Sequence, residues 1–435
     1  MNQARRTAVL ALVRQEENGF SNLVLNAFLQ NTQLENRDKA FVSALFYGVT
    51  ERLITLDWCL QQCLSRPLNK LDAQVRAILR SGLYQAKYMQ VPAAVAVNES
   101  VALCRKMKKT SASGLVNAVL RKAIACDVEK AQFKTQAEKL SVRYSVGAAV
   151  VQILMEQYPQ ECEHILQSLE NPPKETWLRC NTLKTTVEEL CAQLERQGVP
   201  AKAGSIPGSV VARFTGSPAA GEAFASGLYH VQGAASQLAA LNLQAKPGNR
   251  VLDLCAAPGG KSLTLAECME NKGSLVSCDA VQSRLSLIQQ AFDRCGITIG
   301  AVMHNDASVH NPALGQADAI LCDVPCSGLG IMAKKPDIRY KTMEDVEQLH
   351  QLQREILTCA AGYLKTGGRL VYSTCTIDKR ENEQVVEQFL HTHPEFSLKE
   401  PAYQLDGARL ERGMMTLLPG ETGPDGFFIA IMERA

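Results

Sequence analysis

The sequence has no apolar run long enough to span a bilayer, which argues against helical membrane insertion. Its start, Met1-Asn2-Gln3-Ala4-Arg5-Arg6, is charged but has no following apolar core or small-residue cleavage site. No secretion signal is therefore expected, and a cytoplasmic location is the default. Paired Cys-x-x-Cys spacing is missing, as is any Cys/His cluster of zinc type. Cys59/Cys63 and Cys322/Cys326 are four apart, but no second pair completes a site, so no metal is expected. The 15 cysteines are odd in number and scattered, which reads as free thiols in a reducing compartment. Internal repeats and low-complexity tracts are also absent. So are a Gly-x-Gly-x-x-Gly fingerprint and a phosphate-binding Walker loop, and a dinucleotide pyrophosphate is not indicated.

The chain has 435 residues, 46% hydrophobic and 21% charged, enough for two or three domains with real cores. Its net charge of +2 hides an asymmetry. Residues 1–150 hold 21 Lys+Arg against 11 Asp+Glu, which leaves 25 against 33 in the remainder. A basic first third is the electrostatic footprint of a nucleic-acid partner, although a solvated helical surface has the same composition. Arg105, Lys106, Lys108 and Lys109 end one expected helix, and Arg121 and Lys122 the next. Cations there also complement the helix macrodipole.

Residues 1–145 carry helical periodicity and no period-two alternation, so an all-α bundle is expected. Val75, Ile78, Leu79, Leu83, Ala86 and Met89 form one stripe, with Asp72 as N-cap. Leu23, Val24, Ala27 and Phe28 form another, with Ser21 as cap. Residues 146–235 read as a small α+β module. Val146–Cys162 continues as helix, and Asn171-Pro172-Pro173 stops it. Trp177–Cys180, Val210–Phe214 and Leu228–Gln232 are expected strands, and Thr185–Arg196 is an expected helix capped by Thr185 or Thr186. From 236 to 435, strands alternate with helices, the pattern of a doubly wound α/β sheet. The expected strands are Arg250–Cys255, Ser274–Asp279, Ala301–His304, Ala319–Cys322 and Arg369–Ser373. Phe427–Met432 is expected to form an antiparallel edge pair with Met415–Leu418.

Two of these strands deliver a cysteine. Leu370-Val371-Tyr372 leads to Ser373-Thr374-Cys375, and Ala319–Cys322 leads to Asp323-Val324-Pro325-Cys326. In an open parallel sheet, ligands bind beyond the carboxyl ends of the strands, so both thiols are placed to do chemistry. The first strand ends in Asp253 and a turn of small residues and glycines that brings backbone close to a ligand. Asp279 ends the second strand, where an acid accepts from ribose hydroxyls. Asn305-Asp306 follows the third. Acids at successive strand ends suit a ligand with a ribose, an adenine amino group and a cation. S-adenosylmethionine fits that better than an anionic dinucleotide.

Cys255-Ala256-Ala257-Pro258-Gly259-Gly260-Lys261, Asp323-Val-Pro-Cys-Ser-Gly328 and Ser373-Thr-Cys375 together resemble the RNA cytosine-C5 methyltransferase family. Lys335-Pro-Asp-Ile-Arg339 and Asp425-Gly-Phe-Phe428 are similar to it too. Arg37-Asp-Lys-Ala-Phe41 and Val116-Asn-Ala-Val-Leu-Arg121 look like the RNA-binding fold of the antitermination factor NusB. The resemblance covers essentially the whole chain. It implies a NusB-like helical domain, a small RRM-like α+β module and a Rossmann-like methyltransferase domain. It also implies S-adenosylmethionine as methyl donor and a cytosine of 16S ribosomal RNA as target, on a free or partly assembled small subunit. Cofactor contacts are implied at residues 255–261, Asp279, Asp306 and Asp323, with Cys375 as nucleophile and Cys326 assisting product release. A monomer is expected. The family pattern is departed from at Val324, where Ala is usual, at Ser262, where Thr is common, and at Gly233, where an Asp often stands.

These residue types suit the chemistry. Attack of a thiolate at C6 of cytosine makes C5 enamine-like, able to accept a methyl group from a sulfonium. Asp323 is suited to hydrogen-bond the N3–H of the ring as charge develops. The base must be unstacked or already in a loop. Lys334, Lys335 and Arg339 could hold flanking phosphates. Two rivals stay open. A DNA cytosine-C5 methyltransferase would use the Pro-Cys cysteine as nucleophile, and a non-catalytic RNA-binding factor would bind no cofactor.

Overall fold

The computed structural model describes residues 2–18, 21–170, 173–342, 344–423 and 425–435. The chain forms two compact units, Met1–Glu170 with Met332–Thr342, and Asn171–Ile331 with Met343–Ala435. Among the described residues no helix is long and apolar enough to cross a membrane.

The first unit is helical, as its periodicity requires. Helix Ala73–Tyr88 buries Val75, Ile78, Leu79 and Leu83 against Leu45, Phe46, Val49 and Leu56. Asp72 caps it, its carboxylate accepting from the amides of Gln74 and Val75. Helix Asn36–Glu51 approaches it at Gly48, where a Cβ would overlap the Tyr84 ring, so the packing leaves no room for any other residue. Helices Gln136–Tyr144, Ala148–Gln157 and Cys162–Ser168 also belong to this unit. The residues from 146 to 170, expected to open the α+β module, thus lie with the bundle.

The segment Met332–Thr342 joins the same unit and changes two expectations. Ser21 does not act as a cap. It is the first residue of helix Ser21–Gln30, and its amide and hydroxyl both donate to the Asp337 carboxylate, at 3.2 and 2.5 Å. Arg339 is only 2% exposed, so its assignment as a phosphate ligand is corrected. Its Nη1 donates to the Glu51 carbonyl (3.0 Å) and its Nε to the Met332 carbonyl (3.2 Å). The chain breaks between helices Asn36–Glu51 and Leu53–Gln61, and terminal carbonyls need donors there. Arg339 supplies one, and the Tyr340 hydroxyl supplies another to Thr50 O at 2.6 Å. Lys334 and Lys335 are exposed.

The second unit holds two sheets. The small one comprises β1 (Thr176–Cys180), β2 (Ala201–Ala203), β3 (Ser209–Ala212) and β4 (Tyr229–Val231), antiparallel in the order β2-β3-β1-β4. Helix Val187–Arg196 crosses after β1, opened by a capping box in which Thr186 and Glu189 satisfy each other's backbone amides. Strand β2 and the short helix Glu222–Ala225 complete a split βαβ arrangement that the expected strand-helix-strand-strand order lacked.

The large sheet comprises β5 (Arg250–Asp253), β6 (Ser274–Asp279), β7 (Gly300–His304), β8 (Ala317–Asp323), β9 (Leu364–Thr374), β10 (Phe396–Leu398), β11 (Arg409–Glu411), β12 (Met414–Leu417) and β13 (Phe427–Arg434). Its order is β11-β12-β13-β9-β8-β5-β6-β7, with β10 also paired to β13. The run from β7 to β9 is parallel. Strand β13 is antiparallel and lies between β12 and β9, so it is interior and not at an edge as expected. Successive residues of β8 and β9 are buried on opposite faces. Ile320, Cys322, Leu370 and Tyr372 meet helix Glu344–Tyr363 through Ile356 and Leu357. Leu321 and Val371 meet Leu238, Leu263 and Ile288 on the other face. From β5 the chain proceeds to β6 and β7 on one side and to β8 and β9 on the other. The crevice at that reversal, beyond Asp253 and Asp323, is where an open α/β sheet takes its ligand.

Candidate active site

Strand β5 ends in Asp253, which is fully buried. Its Oδ2 accepts from the Ser262 hydroxyl at 2.6 Å, and Ser277 Oγ donates to Ser262 Oγ at 2.9 Å. Asp253 thus braces the turn from beneath. Burial pushes its carboxyl up to about 7 from an ordinary 3.8, against the pull of the Ser262 hydrogen bond. With the folded value raised, stability from this group is complete below about pH 4 and lost as pH rises through about 7. Asp253→Asn is therefore expected to gain stability relative to the parent as pH rises from about 4 to about 8. Urea unfolding of both proteins at several pH values checks this, and a stability gap that ignores pH contradicts it.

The turn itself runs from Leu254 to Gly259, whose φ of +104° is open to glycine and strained for other residues. Gly260 then starts helix Gly260–Cys268. Asp279, at the end of β6, accepts from the Val281 amide (2.9 Å) and from the Ala257 amide (3.3 Å), which ties the second acid to the turn. Asp306 is exposed beyond β7, and Ser308 donates to it from Oγ (2.7 Å) and N (3.0 Å). Those bonds hold its carboxyl below the ordinary range. Cys255 is a thiol, pushed far up by burial and by the surrounding acids.

A cavity of about 190 Å³ opens beside the turn. Its lining includes Cys255, Ala256, Ala257, Pro258, Gly260, Lys261 and Asp323, along with Gln232, Gly233 and Ser236. Asp279 and Asp306 lie outside that lining. Lys261 Nζ pairs with Asp323 Oδ2 at 2.6 Å and lies 5.4 Å from the centre of the Phe427 ring. Burial works against this charge, but Asp323 outweighs it and keeps the lysine above its ordinary value. The other oxygen of Asp323 accepts from Ser373 Oγ at 2.8 Å.

Register explains why the two cysteines meet. Asp323 is paired with Ser373 across β8 and β9, so the loops that follow leave side by side. Cys326 Sγ and Cys375 Sγ are 3.2 Å apart, within hydrogen-bonding reach for sulfur. That bond, then burial, then the charges of Cys375, Glu381 and Asp323 push the Cys326 thiol well up.

The loops are pinned by residues the sequence reading missed. Glu381 Oε2 accepts from the Ser327 amide and from Gln353 Nε2, both at 2.8 Å. Ser327 Oγ and Thr376 Oγ1 are 2.7 Å apart and join the two loops. The Gly330 amide donates to the Cys375 carbonyl at 3.0 Å, and a Cβ at Gly330 would collide with the Gly426 carbonyl. Asn382 accepts from Thr374 Oγ1 (2.6 Å) and donates to the Thr376 carbonyl (3.1 Å). An acid and an amide a few residues past Cys375 were the only available signal for this bracing.

Comparison with known proteins agrees with this architecture. Residues 240–433 match the family described as 16S rRNA methyltransferase RsmB/F, residues 2–125 the NusB family, and residues 150–211 an RsmF/B-like ferredoxin-like domain. The probable ribosomal RNA small subunit methyltransferase B of Bacillus subtilis is 34% identical, over 99% of this chain and 98% of its own. The ribosomal RNA small subunit methyltransferase B of Shewanella oneidensis is 30% identical, over 99% of both chains. Among solved structures, PH0851 superposes with a TM-score of 0.85 at 28% identity, over 100% of this chain and 99% of its own. A methyltransferase homologue from Pyrococcus horikoshii gives 0.62 at 26% identity, over 70% of this chain and 100% of its own. Likeness at this level over the full length, with successive regions of this chain matching the NusB, ferredoxin-like and methyltransferase models, means that the chain belongs to the RsmB/F family of 16S rRNA methyltransferases.

Proposed function

We propose that the protein methylates C5 of a cytosine in 16S ribosomal RNA, using S-adenosylmethionine and a transient bond between Cys375 Sγ and C6 of the base. The observation that carries this reading is the pair of sulfurs 3.2 Å apart at two adjacent strand ends, with Asp323 beside them. The cavity residues suit the cofactor. Lys261 and the buried amide of Gln232 line the cavity as hydrogen-bond donors, and Asp279, outside that lining but bound to the turn, is an acceptor for ribose hydroxyls. When bound, S-adenosylmethionine supplies an electrophilic methyl group.

The chain's own residues do the remaining work. Cys375 attacks as thiolate, its electron pair forming the S–C6 bond while the C5–C6 π pair moves toward C5. N3 of neutral cytosine carries no hydrogen, so Asp323 meets the ring by accepting from the N4 amino group, which steadies the charge that develops on attack. After methylation a base takes the C5 proton, the C–H electron pair restores the C5–C6 double bond, and Cys375 leaves as thiolate. Cys326, 3.2 Å from the departing sulfur, assists that last stage. Bisulfite sequencing of ribosomal RNA from cells with and without the protein tests the reading. One 16S cytosine is expected to lose protection when the protein is absent, and an unchanged pattern contradicts it.

RNA contact falls to the basic residues. Arg105, Lys106, Lys108, Arg121 and Lys122 are exposed at helix ends in the first unit, whereas Lys109 pairs with Asp72 at 2.6 Å. Lys334 and Lys335 are exposed on the segment that carries Arg339. Replacing both by alanine is expected to weaken 16S RNA binding and lower the log–log salt slope by up to about 2, near 0.7–0.9 for each phosphate no longer neutralised. Filter binding at several salt concentrations measures it, and identical isotherms for the variant and the parent retire this assignment.

A further inference from the structure

Gln232 follows strand β4 and is 5% exposed, yet its Nε2 has no hydrogen-bond partner among the described residues. An amide N–H₂ hidden from water without an acceptor is costly unless something else supplies one. Its Oε1, by contrast, accepts from Thr264 Oγ1 at 2.8 Å and is 3.1 Å from His230 Nε2. Burial drives His230 toward its neutral form, and the tautomer with its proton on Nε2 makes the ring a second donor to that oxygen. Two donors on the oxygen fix the amide so that its nitrogen faces the cavity beside Gly260.

A second observation meets the first. Helix Ala234–Asn242 begins at the next residue but one, with Gly233 as N-cap and no side-chain cap. Its first backbone bond runs from the Gln237 amide to the Gly233 carbonyl, so the amides of the first turn have no acceptor within the helix. That end carries the positive pole of the helix dipole and lines the same cavity through Gly233 and Ser236. Lys261 Nζ lies 3.4 Å from Ser236 Oγ. The Gln232 amide, Lys261 and the helix start thus all present donors to one cavity.

We propose that Gln232 Nε2 and the uncapped start of helix Ala234–Asn242 bind the α-carboxylate of the methionine portion of the methyl donor. The inference rests on the cofactor proposed above and adds the residues that read its amino-acid end. The carboxylate caps the helix that Gly233 leaves open and gives the Gln232 amide its missing acceptor.

Titration calorimetry with the full chain tests this using two probes. S-adenosylhomocysteine carries the carboxylate, and 5′-methylthioadenosine lacks the amino-acid end altogether. Gln232→Ala is expected to weaken S-adenosylhomocysteine roughly tenfold to hundredfold, the worth of a hydrogen bond to a charged group, and to leave 5′-methylthioadenosine within about twofold. Gln232→Glu keeps an oxygen for Thr264 and His230 but turns an acid toward the carboxylate, and should weaken S-adenosylhomocysteine further still. Equal losses on both probes, no loss on either, or tighter S-adenosylhomocysteine binding by Gln232→Glu overturns the inference alone. Failure of the parent protein to bind S-adenosylhomocysteine overturns the methyl-donor reading and this inference with it.

Discussion

The Cys375→Ala protein is expected to lose methyl transfer by at least about ten-thousandfold and to form no covalent complex with RNA. The expectation follows from electron bookkeeping at the base. Without a nucleophile at C6, C5 of cytosine stays a poor acceptor for a methyl cation, and positioning alone leaves most of the barrier in place. The Cys326→Ala protein should behave differently. Its Cys375 still attacks, but the stage that frees C6 has lost its assisting thiol, so the RNA-linked protein accumulates and survives denaturant. The geometry favours this order. Cys326 Sγ lies 3.2 Å from Cys375 Sγ, within reach of the adduct that Cys375 forms. Both substitutions remove only a sulfur, and the Glu381, Ser327 and Thr376 bonds that pin the loops do not depend on it. A denaturant-stable species from Cys375→Ala and none from Cys326→Ala would exchange the two roles.

Asp323→Asn has the second-largest expected effect, a loss of about a hundredfold to a thousandfold in turnover. Both carboxylate oxygens are engaged, one by Lys261 and one by Ser373, so the group is held in place before substrate arrives. Asparagine preserves the shape but loses the charge that meets the N4 amino group and balances Lys261. The lysine side chain is 13% exposed and Asp323 27%, so the orphaned ammonium is partly wetted and the stability cost is about 1–3 kcal/mol. Single-turnover methylation separates this from unfolding when run well below the melting temperature. In a Cys326→Ala background, Asp323→Asn should also suppress the trapped complex, because the hydrogen bond acts on the ring during attack. Full adduct yield in that double variant would confine Asp323 to cofactor and loop support.

Local chemistry was readable in this chain, and long-range pairing was not. Asp72 caps its helix, and Thr186 with Glu189 opens the next domain's first helix, because each partner lies within three residues. The two cysteine-bearing strands were visible because buried parallel strands read as short apolar runs closed by polar residues. Strand β2 was missed because three residues, one of them Lys202, carry no pattern. The interior position of β13 depends on its pairing with β9, which no local signal records. Asp337 meets Ser21 from 316 positions away, and Arg339 turns inward because a helix break elsewhere needs donors. A basic loop next to a catalytic motif looks like a phosphate clamp until the carbonyls it satisfies are known. Glu381 was overlooked for the same reason, since its partners Ser327 and Gln353 lie on other elements.

The most direct measurement is peptide mapping by mass spectrometry of the denaturant-stable complex between the Cys326→Ala protein and a 16S ribosomal RNA transcript. A nucleotide mass attached at Cys375 is the predicted result. Attachment at any other residue, or no covalent complex under conditions where the parent enzyme methylates the same transcript, would contradict the account.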